Sequence, residues 1–213
     1  MEFETSKYLG GVGAILMFIG LIPYTYGLLG LVGAILVVIA MKGFADYYKE
    51  AGIFNNTLYA IVLAIIGVVA FVGIAFVALV DFFSNLGITL NASTAANWAS
   101  QFSSIDWTST ANMNTILKFA GFIFLDVIVL FVFVLVTAIL LRRSLKLMSA
   151  KTNVGLFGTT GTVLLVGAVL TVILIGLVLV WISALLLAIA FFQMRTPQPQ
   201  YAPTPPPAQP TTI

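Results

Sequence analysis

From Val154 to Phe192 the chain runs 39 residues without a charged side chain, and from Leu9 to Met41 it runs another 33. As single helices these would be rods of about 58 and about 50 Å at 1.5 Å per residue, against a bilayer core of about 30 Å. Each run is therefore expected to break, with one kinked and tilted helix as the alternative for the first. In the first the break is Pro23-Tyr24-Thr25-Tyr26-Gly27; in the second it is the softer stretch from Thr171 to Gly176. Each becomes a hairpin of two helices, some only about 21–24 Å long, so the bilayer thins there or the pair is re-entrant.

Hydrocarbon is the solvent such a chain fits. Hydrophobic residues make up 61% of it and charged residues 8%, where a soluble domain carries about 25% charged. The sequence predicts an all-α polytopic transmembrane bundle of about six helices, near 9–22, 27–48, 56–83, 115–147, 154–172 and 175–194. Two short hairpins flank a long central pair, and 84–114 forms a loop rich in Ser, Thr and Asn. A turn is expected at Gly52. Glu2 and Glu4 make the first residues acidic, so the first apolar segment reads as retained and not as a cleavable leader. Residues Thr196 to Ile213 hold seven of the eight prolines and read as a disordered or polyproline tail.

The cations orient this plan. With six crossings, Lys7, Lys42, Lys49, Arg142, Arg143, Lys146, Lys151 and Arg195 share one side, and Lys118 alone lies on the other. The positive-inside rule puts both termini, the tail and the 142–153 turn in the cytoplasm and the 84–114 loop outside the cytoplasmic membrane. A net charge of +2 without a basic face does not suit nucleic acid. Neither Cys nor His is present, which removes disulfides, thiolates, the commonest metal ligand and the commonest general base. No catalytic, cofactor or metal site is expected.

Tyr8 to Leu16 aligns with Leu156 to Leu164, and after a one-residue shift Gly27-Leu28 meets Gly176-Leu177, as a parallel internal duplication would require. The strings Leu9-Gly10-Gly11-Val12-Gly13-Ala14-Ile15-Leu16, Ile19-Gly20-Leu21-Ile22-Pro23, Leu31-Val32-Gly33-Ala34-Ile35-Leu36, Ala45-Asp46-Tyr47-Tyr48, Ile53-Phe54-Asn55-Asn56 and Ala188-Ile189-Ala190-Phe191-Phe192 carry a resemblance over roughly residues 8–195. The chain resembles domain-of-unknown-function family 996, multi-pass membrane proteins of prokaryotes, many archaeal. The resemblance implies a membrane protein without an assigned activity and carries over no functional residues. Some relatives add a cysteine-bearing, zinc-ribbon-like tail; the cysteine-free tail here implies no zinc.

Small residues recur at helix-contact spacing: Gly10 and Gly13; Gly27, Gly30 and Gly33; Ala60, Ala64 and Gly67; Gly155, Gly158 and Gly161. They suit close backbone packing within the bundle, a homodimer face, or a substrate passage. Asp126, among Phe122, Phe124, Ile128 and Leu130, must face the bundle, find a partner or stay protonated. It reads as a structural contact to a Thr, Tyr or Asn, as a proton or cation site, or as a shallow solvated group. Lys118, eight positions earlier, is about 12 Å away along the axis, too far for direct pairing. Asp81 reads as solvated or as a turn cap, with an acidic pair to Asp126 as the alternative. Arg142, Arg143 and Lys146, with Lys151, read as a cytoplasmic anchor able to contact anionic lipid heads. Asn91 and Asn55 open glycosylation sequons, of which only Asn91 would face outward.

The expectation is a structural or interaction protein and not an enzyme. Its partners would be the bilayer, further copies of itself or another membrane protein. The alternative is a small transporter or channel that uses Asp126.

Overall fold

The computed structural model describes residues 2–20, 27–88, 97–173 and 175–195. The Pro23 break, the Asn91 sequon and the proline-rich tail lie outside them. Among the described residues the fold is all-helical: α1 Phe3–Gly20, α2 Leu28–Tyr48, α3 Ala51–Asn85, α4 Trp98–Ser103, α5 Thr110–Thr152, α6 Gly155–Leu170 and α7 Ile175–Phe192, with a 3-10 turn Thr171–Ile173 after α6. Five of them (α2, α3, α5, α7, and α6 with its 3-10 turn) are long and apolar enough to cross a membrane.

The long helices pack in a closed order: α1 on α2, α2 on α3, α3 on α5, α5 on α6, α6 on α7 and α7 back on α1. Their buried side chains collect at one end. Phe3 of α1, Phe44 of α2, Ile53 of α3, Met148 of α5, Phe157 of α6 and Phe191 of α7 share one apolar core. Phe157 meets Phe191 edge-on at 5.2 Å between ring centroids, and Phe44 stacks on Phe191 at 6.0 Å. The charges rim this same end. Lys42 pairs with Asp46 at 3.4 Å and Lys151 with Glu50 at 3.3 Å. A core ringed by solvated ion pairs is driven by apolar burial, about 1.5–3 kcal/mol for each large side chain. In lipid, contact geometry must serve instead.

Helix ends differ from the sequence expectation where tertiary contacts or caps extend them. The first helix begins at Phe3 and not near residue 9, because Phe3 is buried against Phe44, Tyr47 and Tyr48. The turn expected at Gly52 falls at Lys49-Glu50. Lys49 takes the left-handed conformation (φ 51°), its amide bonds Asp46 O at 3.4 Å, and the Glu50 amide bonds Ala45 O at 2.9 Å. That is a Schellman closure with lysine where glycine is usual, so α3 restarts at Ala51 and runs to Asn85. Its far end closes the same way around Gly87 (φ 75°), with the Ile88 amide on Phe83 O at 2.9 Å. Helix α5 starts at Thr110, five residues early, because Ser109 Oγ accepts the Asn112 amide at 3.2 Å. The expected 84–114 loop contains α4.

Both hairpins close backbone on backbone. A Cβ on Gly20 would collide with Gly30, and one on Gly176 with the Gly167 carbonyl and the Thr171 amide. The proposed duplication does not match these roles. Gly27 has positive φ and open space beside it while Gly176 is enclosed, and Gly13 packs on α2 whereas Gly161 packs on α5. The expected glycine stripe is also re-sorted. Gly10, Gly13, Gly33, Gly67 and Gly161 are in close contact, Gly30 and Gly158 have ordinary clearance, and Gly155 has nothing within 4 Å.

Candidate functional site

The hairpins are short and the α3–α5 pair is long. On α5, Ser149 lies beside Gly158 and Arg142 beside Gly161. The turn after α6 begins ten residues past Gly161, so it reaches about the height of residue 132 on α5, roughly 20 Å below Lys118. The other hairpin is tied at a similar level, since Trp181 donates its indole N–H to Phe18 O at 3.0 Å and stacks on Phe18 at 4.6 Å. Above that height α3 and α5 continue as a two-helix arm. Its surface is apolar and open: Val69, Val72, Phe76 and Val77 on α3, and Leu117, Phe124, Leu125 and Val127 on α5.

Well below the arm, within the six-helix end, sits a buried hydroxyl cluster that the sequence did not announce. Thr57 Oγ1 is 2.8 Å from Ser144 Oγ, and each hydroxyl also lies within bonding distance of Ile53 O, at 2.9 and 2.6 Å. Two protons serve three contacts, so at any moment one contact has none. Sequence inspection missed it because a Thr and a Ser 87 positions apart show no pattern until the helices pair. Two turns higher, Thr137 Oγ1 reaches Ala60 O at 3.5 Å, and above that Phe133 fills the notch left by Gly67.

At the top, Lys118 Nζ pairs with Asp81 Oδ2 at 3.0 Å, and both remain substantially exposed. Asp81 is thus a half-exposed ion-pair partner and not half of an acidic pair with Asp126. Next to this pair lies a pocket of about 380 Å³ lined by Gly73, Ile74, Val77, Ala78, Asp81, Lys118 and Phe122. Asp126 lies one turn below Phe122. By the register set by Gly67 with Phe133 and Asp81 with Lys118, it stands level with about residue 73 on α3. It is 0% exposed, and neither carboxylate oxygen has a hydrogen-bond partner among the described residues. The Thr, Tyr or Asn partner expected for it is therefore not there.

Arg142, Arg143 and Lys146 are exposed at the charged end, on the helix face away from buried Ser144 and Leu145. No group of three metal-capable side chains occurs among the described residues. In the connection before α5, Asp106 Oδ1 accepts from the Thr108 hydroxyl at 2.6 Å and from its amide at 2.9 Å. These bonds, the hydroxyl's first, hold the carboxyl below its usual range.

Known proteins add a family and no chemistry. The chain is 35% identical over 97 residues to Uncharacterized protein MJ1644 of Methanocaldococcus jannaschii, an alignment covering 44% of this chain and 53% of that relative. The chain thus spans about half the length of the curated relative it matches. No solved structure matches. The model for the family described as protein of unknown function (DUF996) matches residues 29–185, and the chain belongs to that family.

Proposed function

We propose that this protein is a structural or interaction component of the cytoplasmic membrane, built as a six-helix base that carries a two-helix arm through the bilayer. The observation that carries this reading is the change in helix number with height. In the base, Met41, Phe44, Met148, Phe157 and Phe191 fill the centre. In the arm α3 and α5 alone are present among the described residues, and two helices cannot wall a passage. Along α5, Lys118 and Arg142 are 24 residues apart, about 36 Å, which suits a bilayer core of about 30 Å. Set at that depth, the two hairpins enter from the cation-rich face and turn near the midplane. That face is cytoplasmic by the positive-inside rule, with both termini on it. The connection around α4, with exposed Phe102 and Trp107, is offered to partners outside.

Transport through Asp126 is the competing reading, and it would need walls supplied by further copies. The deciding experiment is ion flux from vesicles containing the purified protein. No flux above that of empty vesicles is expected. A flux abolished by Asp126→Asn would overturn the structural reading.

A further inference from the structure

Asp126 is the one buried residue of α5 between Thr110 and Thr137. A two-helix arm offers very little interior, and at this height the chain spends it on an acid. Its neighbours along the helix, Leu125 and Val127, are more than half exposed, so hydrocarbon begins within one residue on either side. An ionised carboxylate held there without a partner costs several kcal/mol.

We propose that Asp126 is a proton-binding site, reached from the pocket beneath the Lys118–Asp81 ion pair. Three occupants could neutralise the carboxylate, and two fail on geometry. An ammonium or guanidinium is not at hand. On α3 the one charged residue is Asp81, and on α5 the nearest cation is Lys118, two turns away and engaged by Asp81. Ca²⁺ or Mg²⁺ takes about six oxygen ligands and Zn²⁺ about four, while Asp126 supplies two oxygens and the surrounding helix carbonyls are taken by the i→i−4 ladder. A proton needs one oxygen. Binding is then simple protonation of the carboxylate, with water at the solvated Lys118–Asp81 end of the pocket as donor and acceptor. Gly73, level with Asp126, has open space where a Cβ would stand. Phe122 lines the pocket one helical turn above the acid. Within the arm the titratable groups of α3 and α5 besides Asp126 are Asp81 and Lys118, and their pairing leaves little net field on Asp126; Tyr59, Arg142, Arg143, Lys146 and Lys151 of the same helices lie at the other end.

The test is infrared spectroscopy of the full chain in lipid vesicles at neutral pH, with the aspartate carboxyl carbons isotope-labelled. The expected result is a protonated-carboxyl stretch that is present in the parent, absent in Asp126→Asn, and shifted on transfer to heavy water. Phe122→Ala should speed that shift at least several-fold. A carboxylate band alone at neutral pH overturns the proposal, as does loss of the protonated band on adding sodium at constant pH. A protonated band that never exchanges makes Asp126 a buried structural acid and also ends it, and an unchanged rate in Phe122→Ala removes the pocket as the route. Vesicle flux can fail or succeed independently of all four outcomes, so this site and the structural reading are separable.

Discussion

Lys118 gives its ammonium to Asp81 across the helix pair and not to Asp126 on its own helix. That choice ties the outer ends of α3 and α5 together and leaves the deeper acid alone. Both partners are about half exposed, so the pair itself contributes about 0–1 kcal/mol. Lys118→Met should lower the thermal midpoint in detergent only slightly. A loss above about 2 kcal/mol would mean that the ion pair, and not the ring contact of Phe82 with Phe119 beside it (4.6 Å between centroids) or the Gly67–Phe133 contact below it, holds the arm together.

The glycines divide into two classes with opposite predicted signs. Gly20→Ala drives a methyl into the Gly30 backbone and should cost about 1–3 kcal/mol, the usual range for overpacking. Gly73 and Gly121 have nothing within 4 Å of a built Cβ, so alanine at either should stabilise the helix by up to about 1 kcal/mol. Thermal melts of the three variants in one detergent check the ordering. Equal shifts would contradict the close approach of α1 and α2.

The depth of the hairpins is open to direct measurement, because the native chain has no cysteine. Val172→Cys, at the α6–α7 turn and 69% exposed, should resist a membrane-impermeant maleimide applied from either face. Ser104→Cys should react from outside and Lys151→Cys only after the membrane is opened. Labelling of Val172→Cys from outside would show the hairpins crossing fully.

Ser144→Ala removes one member of a hydroxyl pair whose partner, Thr57, can still donate to Ile53 O. The expected cost is about 1 kcal/mol. Thr57→Val and the double variant complete a cycle, and strict additivity would mean the 2.8 Å contact carries no coupling.

Asp106 supplies the pH dependence. Its carboxyl is held below the ordinary range by Thr108, so its contribution is fully present above the unfolded-state value and is lost as pH falls through the lower folded one. Carboxyl NMR should place its midpoint below that of a free aspartate, and Thr108→Val should raise it. A midpoint already at the ordinary value would remove the turn.

Much of this fold was legible because hydrocarbon imposes length and polarity limits that single residues reveal. The break near Thr171–Gly176 and the long α3–α5 pair could be anticipated from uninterrupted apolar runs. What stayed hidden were quantities set between helices. Phe3 extends α1 because three rings on α2 receive it, and Lys49 makes a turn that its residue type does not advertise. The partner of Lys118 could not be named, since Asp81 lies 37 positions away. Asp126 stood out as a lone acid, but its burial and missing hydrogen-bond partner needed the α3–α5 register.

The six-to-two change in helix number gives the molecule a taper. Where the base ends, acyl chains rather than side chains must complete the cross-section around α3 and α5. The leaflet that surrounds the arm is therefore a building material of this protein, and chain length or stiffness in that leaflet should bear on the arm while leaving the base almost untouched.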